Sequence, residues 1–265
     1  MKRLYIGTNL KMYKNIRETC DYLAQLEALT RDLDRDEVCL FAIPSYTALH
    51  AASGVVSRGA IMLGAQNMHW EEKGQFTGEI SPPMLQEIGI EIAEIGHSER
   101  RQLFGESAET VNKKVHAALR HGFTALICVG ETAREKELGV ADERLRIQVK
   151  IALHQVEEAN LDRIWVAYEP VWAIGVQGIP AEPEYANEKH QVIRTVLKEL
   201  FPQKGREVPI LYGGSVHLAN ALSFISQPEV DGLFIGRFAW NAESFNELIR
   251  AVLLAWRTKT AIGKE

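Results

Sequence analysis

Eight short apolar runs, spaced along the chain at nearly regular intervals, limit the folds open to this sequence more than any other feature. They are "LYIGTNL" (4–10), "VCLFAI" (38–43), "AIMLGAQ" (60–66), "EIAEIGH" (91–97), "FTALICVGE" (123–131), "RIWVAYE" (163–169), "VPILYGG" (208–214) and "GLFIGR" (232–237). None alternates cleanly between apolar and polar residues, as expected of strands covered on both faces. Between them lie segments with helical spacing. One puts Tyr22, Leu23, Leu26 and Leu29 on a stripe, another Val192, Ile193, Val196 and Leu200, and Asn241 stands where a third helix needs an N-cap. Strands that alternate with helices pair in parallel through right-handed crossovers. Eight such units in 265 residues, with no proline- or glycine-rich linker, favour a closed barrel over an open doubly wound sheet. No GxGxxG turn follows the first run, which weakens the open nucleotide-binding alternative. The expected architecture is α/β, a single (β/α)8 barrel domain over residues 1–265.

The bulk properties narrow the partners. A net charge of −5 gives no electrostatic reason to expect nucleic acid or an anionic membrane surface. No apolar stretch approaches the length of a membrane span, and Asn9 and Lys11 interrupt the first apolar run too early for a signal peptide. Cys20, Cys39 and Cys128 are an odd, scattered set without CxxC spacing, which points to reduced thiols and a cytoplasmic location.

A barrel changes how polar residues are read, because active sites in this fold sit at the C-terminal ends of the strands. There the sequence places Asn9, Lys11, His97, Glu131, Glu169, Ser215 and Arg237. A carboxylate, an imidazole and an amine converging on one mouth suit proton transfer beside a carbonyl. The base takes a proton from carbon, and the imidazole and ammonium stabilise the enediolate oxygen. Neither metal-ligand spacing nor a GxSxG nucleophile elbow accompanies them. "HSERR" (97–101) suggests a short helix just after His97, whose N-terminal partial charge favours a neutral ring. "YGGSV" (212–216) and "FIGRFAW" (234–240) bring backbone N–H groups to the mouth where this fold commonly binds phosphate. A small phosphorylated carbonyl compound is the inferred substrate.

These stretches, with "NLKM" (9–12), "GAQNM…FTGEIS" (64–81), "ICVGET" (127–132), "AYEPVWAIG" (167–175) and "DGLFIG" (231–236), closely resemble the triose-phosphate isomerase family along the whole chain. The resemblance implies a homodimeric TIM barrel working without cofactor or metal on a small sugar phosphate. It makes Glu169 the base, His97 the neutral electrophile, and Asn9 and Lys11 the substrate-binding pair. It pairs Glu99 with Lys11, puts Thr77 beside the neighbouring subunit's site, and gives phosphate to the backbone of Gly175, Ser215, Gly236 and Arg237. Ile174 and Phe234 match the apolar clamp on the base, and the segment after Glu169 matches a lid hinged at residues 170–172.

The sequence also departs from the family pattern. Val176, Gln177, Gly178, Ile179 and Pro180 replace the usual lid; Leu10 and Tyr13 flank Lys11; and Arg237 follows Gly236 where a glycine is usual. Pro180 has no N–H for the latch to the tyrosine here numbered Tyr212, so the lid must latch differently. "QNMHW", "GIPA" and "GLFIGR-x-AW" resemble the L-erythrulose-1-phosphate isomerase branch, which implies a role in four-carbon polyol (erythritol) catabolism. The ordinary triose-phosphate reaction and a non-catalytic phosphate-binding barrel stand as alternatives.

Overall fold

The apolar runs form eight parallel strands: β1 (Leu4–Asn9), β2 (Val38–Ile43), β3 (Met62–Ala65), β4 (Ile92–Ile95), β5 (Thr124–Val129), β6 (Ile164–Tyr168), β7 (Ile210–Tyr212) and β8 (Gly232–Ile235). The structure is a computed structural model that describes residues 3–175 and 178–262; Val176 and Gln177 of the altered lid lie outside them. Each strand pairs with the next, and β8 closes on β1 with Tyr5 opposite Gly232 and Thr8 opposite Ile235. The expected (β/α)8 barrel is the fold.

Ten helices connect the strands among the described residues: α1 (Ile16–Thr30), α2 (Tyr46–Ser53), α3 (Pro82–Glu87), α4 (Ser98–Leu103), α5 (Ala108–Arg120), α6 (Ala133–Glu137), α7 (Ala141–Ala152), α8 (Pro183–Leu200), α9 (Leu218–Ile225) and α10 (Ala242–Ile262). Asn15 closes a capping box with Glu18 at the start of α1, satisfying two backbone donors that a helix start leaves free. The Asn241 side chain accepts from Ser244 N at 2.9 Å, the cap read for the last helix. Of the α1 stripe, Tyr22, Leu23 and Leu26 are buried and Leu29 is half-buried. On α8 the buried stripe runs through Ala186, His190, Ile193 and Leu197, alternating four- and three-residue steps, so Val192 and Leu200 fall at its edge. None of these helices is long and apolar enough to cross a membrane.

Strand alternation sorts the core into two bodies. Outward residues such as Leu4, Ile6, Ile95 and Ile127 pack against the helices, while Phe41, Ile92, Leu126, Cys128, Trp165, Ala167, Leu211 and Phe234 fill the barrel. The same parity carries Glu94 inward on β4, two residues after Ile92, and Glu169 inward at the end of β6, two after Ala167. An apolar floor therefore lies beneath the polar mouth.

Candidate active site

Asn9 ends β1 with its side chain 7% exposed and fixed at both ends. Its Oδ1 accepts from Lys11 N at 2.6 Å and from Gln66 Nε2 at 3.2 Å, and its Nδ2 donates to Glu94 Oε2 at 2.7 Å. Lys11 has φ +50, a left-handed conformation that costs a non-glycine residue roughly 1–3 kcal/mol. The Asn9 bond and a 2.8 Å bond from Gln66 Nε2 to Lys11 O hold it there. That backbone turn sends the ammonium to Glu99 Oε1 at 2.5 Å.

His97 caps α4, the short helix expected after it. Its Nδ1 accepts from the Glu99 backbone N–H at 3.2 Å. An accepting Nδ1 has no proton, so the neutral ring carries its hydrogen on Nε2. Nε2 stands 3.6 Å from Glu169 Oε1. Lys11, Glu99, His97 and Glu169, drawn from loops 158 positions apart in sequence, thus form one continuous arc. Glu169 is 4% exposed and its Oε2 has no hydrogen-bond partner among the described residues. Two glycines make its seat: a Cβ at Gly213 would meet Glu169 Cγ at 2.8 Å, and one at Gly130 would meet Glu169 O at 1.9 Å.

Glu131, read as a possible mouth residue, has a different position. It is fully buried and accepts from Tyr168 Oη, Trp172 Nε1 at 2.9 Å and Tyr185 Oη at 3.0 Å. It anchors the hinge, with Lys136 Nζ 3.5 Å from the centre of the Trp172 ring. Ile174 follows the hinge half-buried, and Phe234 faces the barrel interior from β8. Gly175 has φ +87. The Tyr212 hydroxyl is turned to the backbone of Ala181, one residue past Pro180.

Gly236 leads into a single 3-10 turn (Arg237–Trp240), and Ser215 follows the paired glycines after β7. Arg237 is exposed and has no ion pair among the described residues. Leu10 is 1% exposed in the layer between barrel and helices, which removes it from the mouth. Tyr13 packs at a tilt against Trp240 with ring centres 4.4 Å apart, and Trp240 Nε1 donates to Asn9 O at 2.9 Å, so this departure braces the start of the Lys11 loop. Thr77 is exposed on a loop where His69 stacks between Trp70 and Phe76.

Two polar residues of the site were not singled out from sequence. Gln66 ends the third run, where its amide ties Asn9 to Lys11. Glu94 is an acid inside an apolar run at an inward position, and that interruption was its signal. Glu94, Cys128 and Glu169 bring their polar atoms within 4.8 Å of one another. Burial first, then the neighbouring carboxylates, pushes the Cys128 thiol well above its ordinary range. A protonated thiol is a poor ligand, so the three read as a buried polar cluster and not as a metal centre.

The Triosephosphate isomerase family model matches residues 4–252. The chain belongs to the triosephosphate isomerase family. Within that family it is 48% identical over 254 residues to the L-erythrulose-1-phosphate isomerase of Rhizobium etli, covering 95% of this chain and 93% of that one. It is 46% identical over 246 residues to the protein of the same name from Mesorhizobium japonicum, covering 92% and 95%. The Brucella abortus protein of that name is 44% identical over 250 residues, covering 94% and 96%.

Proposed function

We propose that this sugar-phosphate isomerase of the triosephosphate isomerase family interconverts L-erythrulose 1-phosphate and D-erythrulose 4-phosphate. The observation that carries the chemistry is the buried Glu169 carboxylate, one oxygen unpartnered and the other 3.6 Å from the N–H-bearing nitrogen of His97. The substrate assignment is supported by the relatives' names and by the departures at residues 13 and 237. Glu169 removes the proton on carbon 3 of the 1-phosphate, and the electron pair forms an enediolate across carbons 2 and 3. His97 Nε2–H and the Lys11 ammonium stabilise the enediolate oxygens, with Asn9 orienting them. The hydroxyl proton on the carbon 3 oxygen passes, by way of His97 Nε2, to the oxygen on carbon 2, and Glu169 returns a proton to carbon 2, leaving the carbonyl on carbon 3 and a hydroxyl on carbon 2. The backbone of Gly175, Ser215 and Gly236 holds the phosphate, and Arg237 adds a free cation. No step needs a cofactor or metal. A barrel that only bound phosphate would have no use for a base aimed at carbon, which weighs against the non-catalytic reading. Turnover in D2O is expected to place one solvent deuteron on the carbon that receives the proton; deuterium-free product with full conversion would exclude an exchanging base.

We also infer a homodimer. Met12 (93% exposed), Leu103 and Phe104 present large apolar side chains to solvent, close in sequence to Lys11 and Glu99, and Phe76 precedes Thr77. Covering them with a second copy would remove that apolar surface from water and bring Thr77 to the partner's Asn9. Sedimentation at assay concentration is expected to give a dimer, with activity lost on dissociation; a fully active monomer would contradict this. The three free cysteines support a cytoplasmic setting, and the relatives' names support a place in erythritol catabolism.

A further inference from the structure

Glu94 takes no part in the mechanism above, yet it sits directly among the residues that do. It is fully buried on β4, inside the barrel. Its polar and charged surroundings come from four sides: Asn9 and Lys11 at the end of β1, His97 beyond its own strand, Cys128 on β5 and Glu169 after β6. Among the described residues only one normal hydrogen bond reaches it, from Asn9 Nδ2 at 2.7 Å; the Cys128 thiol is a distant second donor at 3.9 Å.

We propose that Glu94 is a positioning residue for the isomerisation, fixing the Asn9 amide from below and reserving the pocket's negative charge for Glu169. The proposal rests on the assignment of Glu169 as the base.

The first part follows from hydrogen-bond direction. Asn9 Oδ1 takes two donors, Lys11 N and Gln66 Nε2, while Nδ2 gives to Glu94. Flipping the amide would set its oxygen against Glu94 and its NH2 against two N–H groups. Glu94 therefore holds Asn9 in the one orientation that also supports the strained Lys11 backbone.

The second part follows from charge. A buried ionised carboxylate needs several donors, and Glu94 has one good one. Its neighbour within 4.8 Å is another buried carboxyl group, and two such groups do not ionise independently. One keeps its proton while the other acts as base. Burial pushes Glu94 up to about 7, and Glu169 adds to the rise, whereas His97 and the Asn9 bond oppose it. Below about pH 7 Glu94 is thus a neutral acid. Above it, Glu94 ionises beside the site where an enediolate must form, and kcat/KM falls.

The test uses Glu94→Gln, whose carbonyl can still accept from Asn9 but cannot titrate, and Glu94→Leu, which can do neither. In the full-length protein, kcat/KM is expected to fall several-fold from pH 7 to 9 in the wild type and to stay flat in Glu94→Gln. Glu94→Leu is expected to raise KM at every pH, because Asn9 loses its partner. Infrared spectroscopy supplies a readout independent of turnover and of whether either variant folds. A protonated carboxylic carbonyl band should be present at pH 6, disappear by pH 8, and titrate at lower pH in Glu169→Gln, where the neighbouring charge is gone. No such band at pH 6, or a titration unmoved by Glu169→Gln, would overturn the proposal. An active Glu169→Gln with the coupled band intact would instead overturn the assignment of the base.

Discussion

Glu169→Gln is expected to lower kcat by about 10³-fold or more, the loss that follows when a positioned general base is removed. Glutamine keeps the volume of the side chain and can fill the seat made by Gly130 and Gly213, so the fold and the phosphate loops stay as they are. What it lacks is basicity. A carboxylate takes a proton from carbon because the neighbouring acid groups and the dry pocket leave it poorly solvated, and an amide oxygen has no comparable affinity for a proton at any accessible pH. Binding of inorganic phosphate, measured by calorimetry on the same protein, should change by no more than a few-fold, since the ligands proposed for it are backbone N–H groups and Arg237. The combination of lost turnover with retained phosphate binding separates a missing base from a misfolded site. Retention of more than about a tenth of wild-type kcat would assign the base elsewhere.

The strands and the strand-end residues could be read from sequence for a simple physical reason. A strand buried on both faces must be apolar throughout, so the residue at which the apolar run breaks marks the mouth of the barrel. Asn9, His97 and Glu169 are such breaks; the structure puts His97 and Glu169 on one arc and ties Asn9 to its Lys11 end. Glu131 is a break of the same kind, yet its carboxylate turns to the hinge because Tyr168, Trp172 and Tyr185 together offer it donors. Nothing local to Glu131 announces those partners. Glu94 escaped for the opposite reason: it lies before the break, where a polar residue has no place until Asn9 is seen across the barrel from it. The helix stripes were placed to within a residue, as on α8, because a stripe's edge depends on which neighbour covers it. Leu10 and Tyr13, departures three residues apart and of equal standing in the sequence, separate in the structure. One packs behind the barrel and the other packs at a tilt against Trp240.

The largest contrast expected between substrates concerns one hydroxymethyl group. L-erythrulose 1-phosphate is dihydroxyacetone phosphate with a CH2OH in place of a hydrogen on the carbon that loses its proton. In the proposed mechanism Glu169, His97, Lys11 and the phosphate loops therefore serve both without change. An extra methylene alone separates two substrates by only about 1–3 kcal/mol. A pocket that hydrogen-bonds the added hydroxyl rejects the shorter compound by as much as about 10⁴-fold, because its own buried polar groups are then left unpaired. The changes at Tyr13 and Arg237 lie on the loops after β1 and β8, where such a pocket can be built without disturbing the arc. The deciding measurement is kcat/KM for L-erythrulose 1-phosphate and for dihydroxyacetone phosphate on one preparation. A tetrulose value above the triose value is expected; a triose value near the diffusion-limited range of about 10⁸ M⁻¹s⁻¹, with a weaker tetrulose value, would make this chain an ordinary triose-phosphate isomerase.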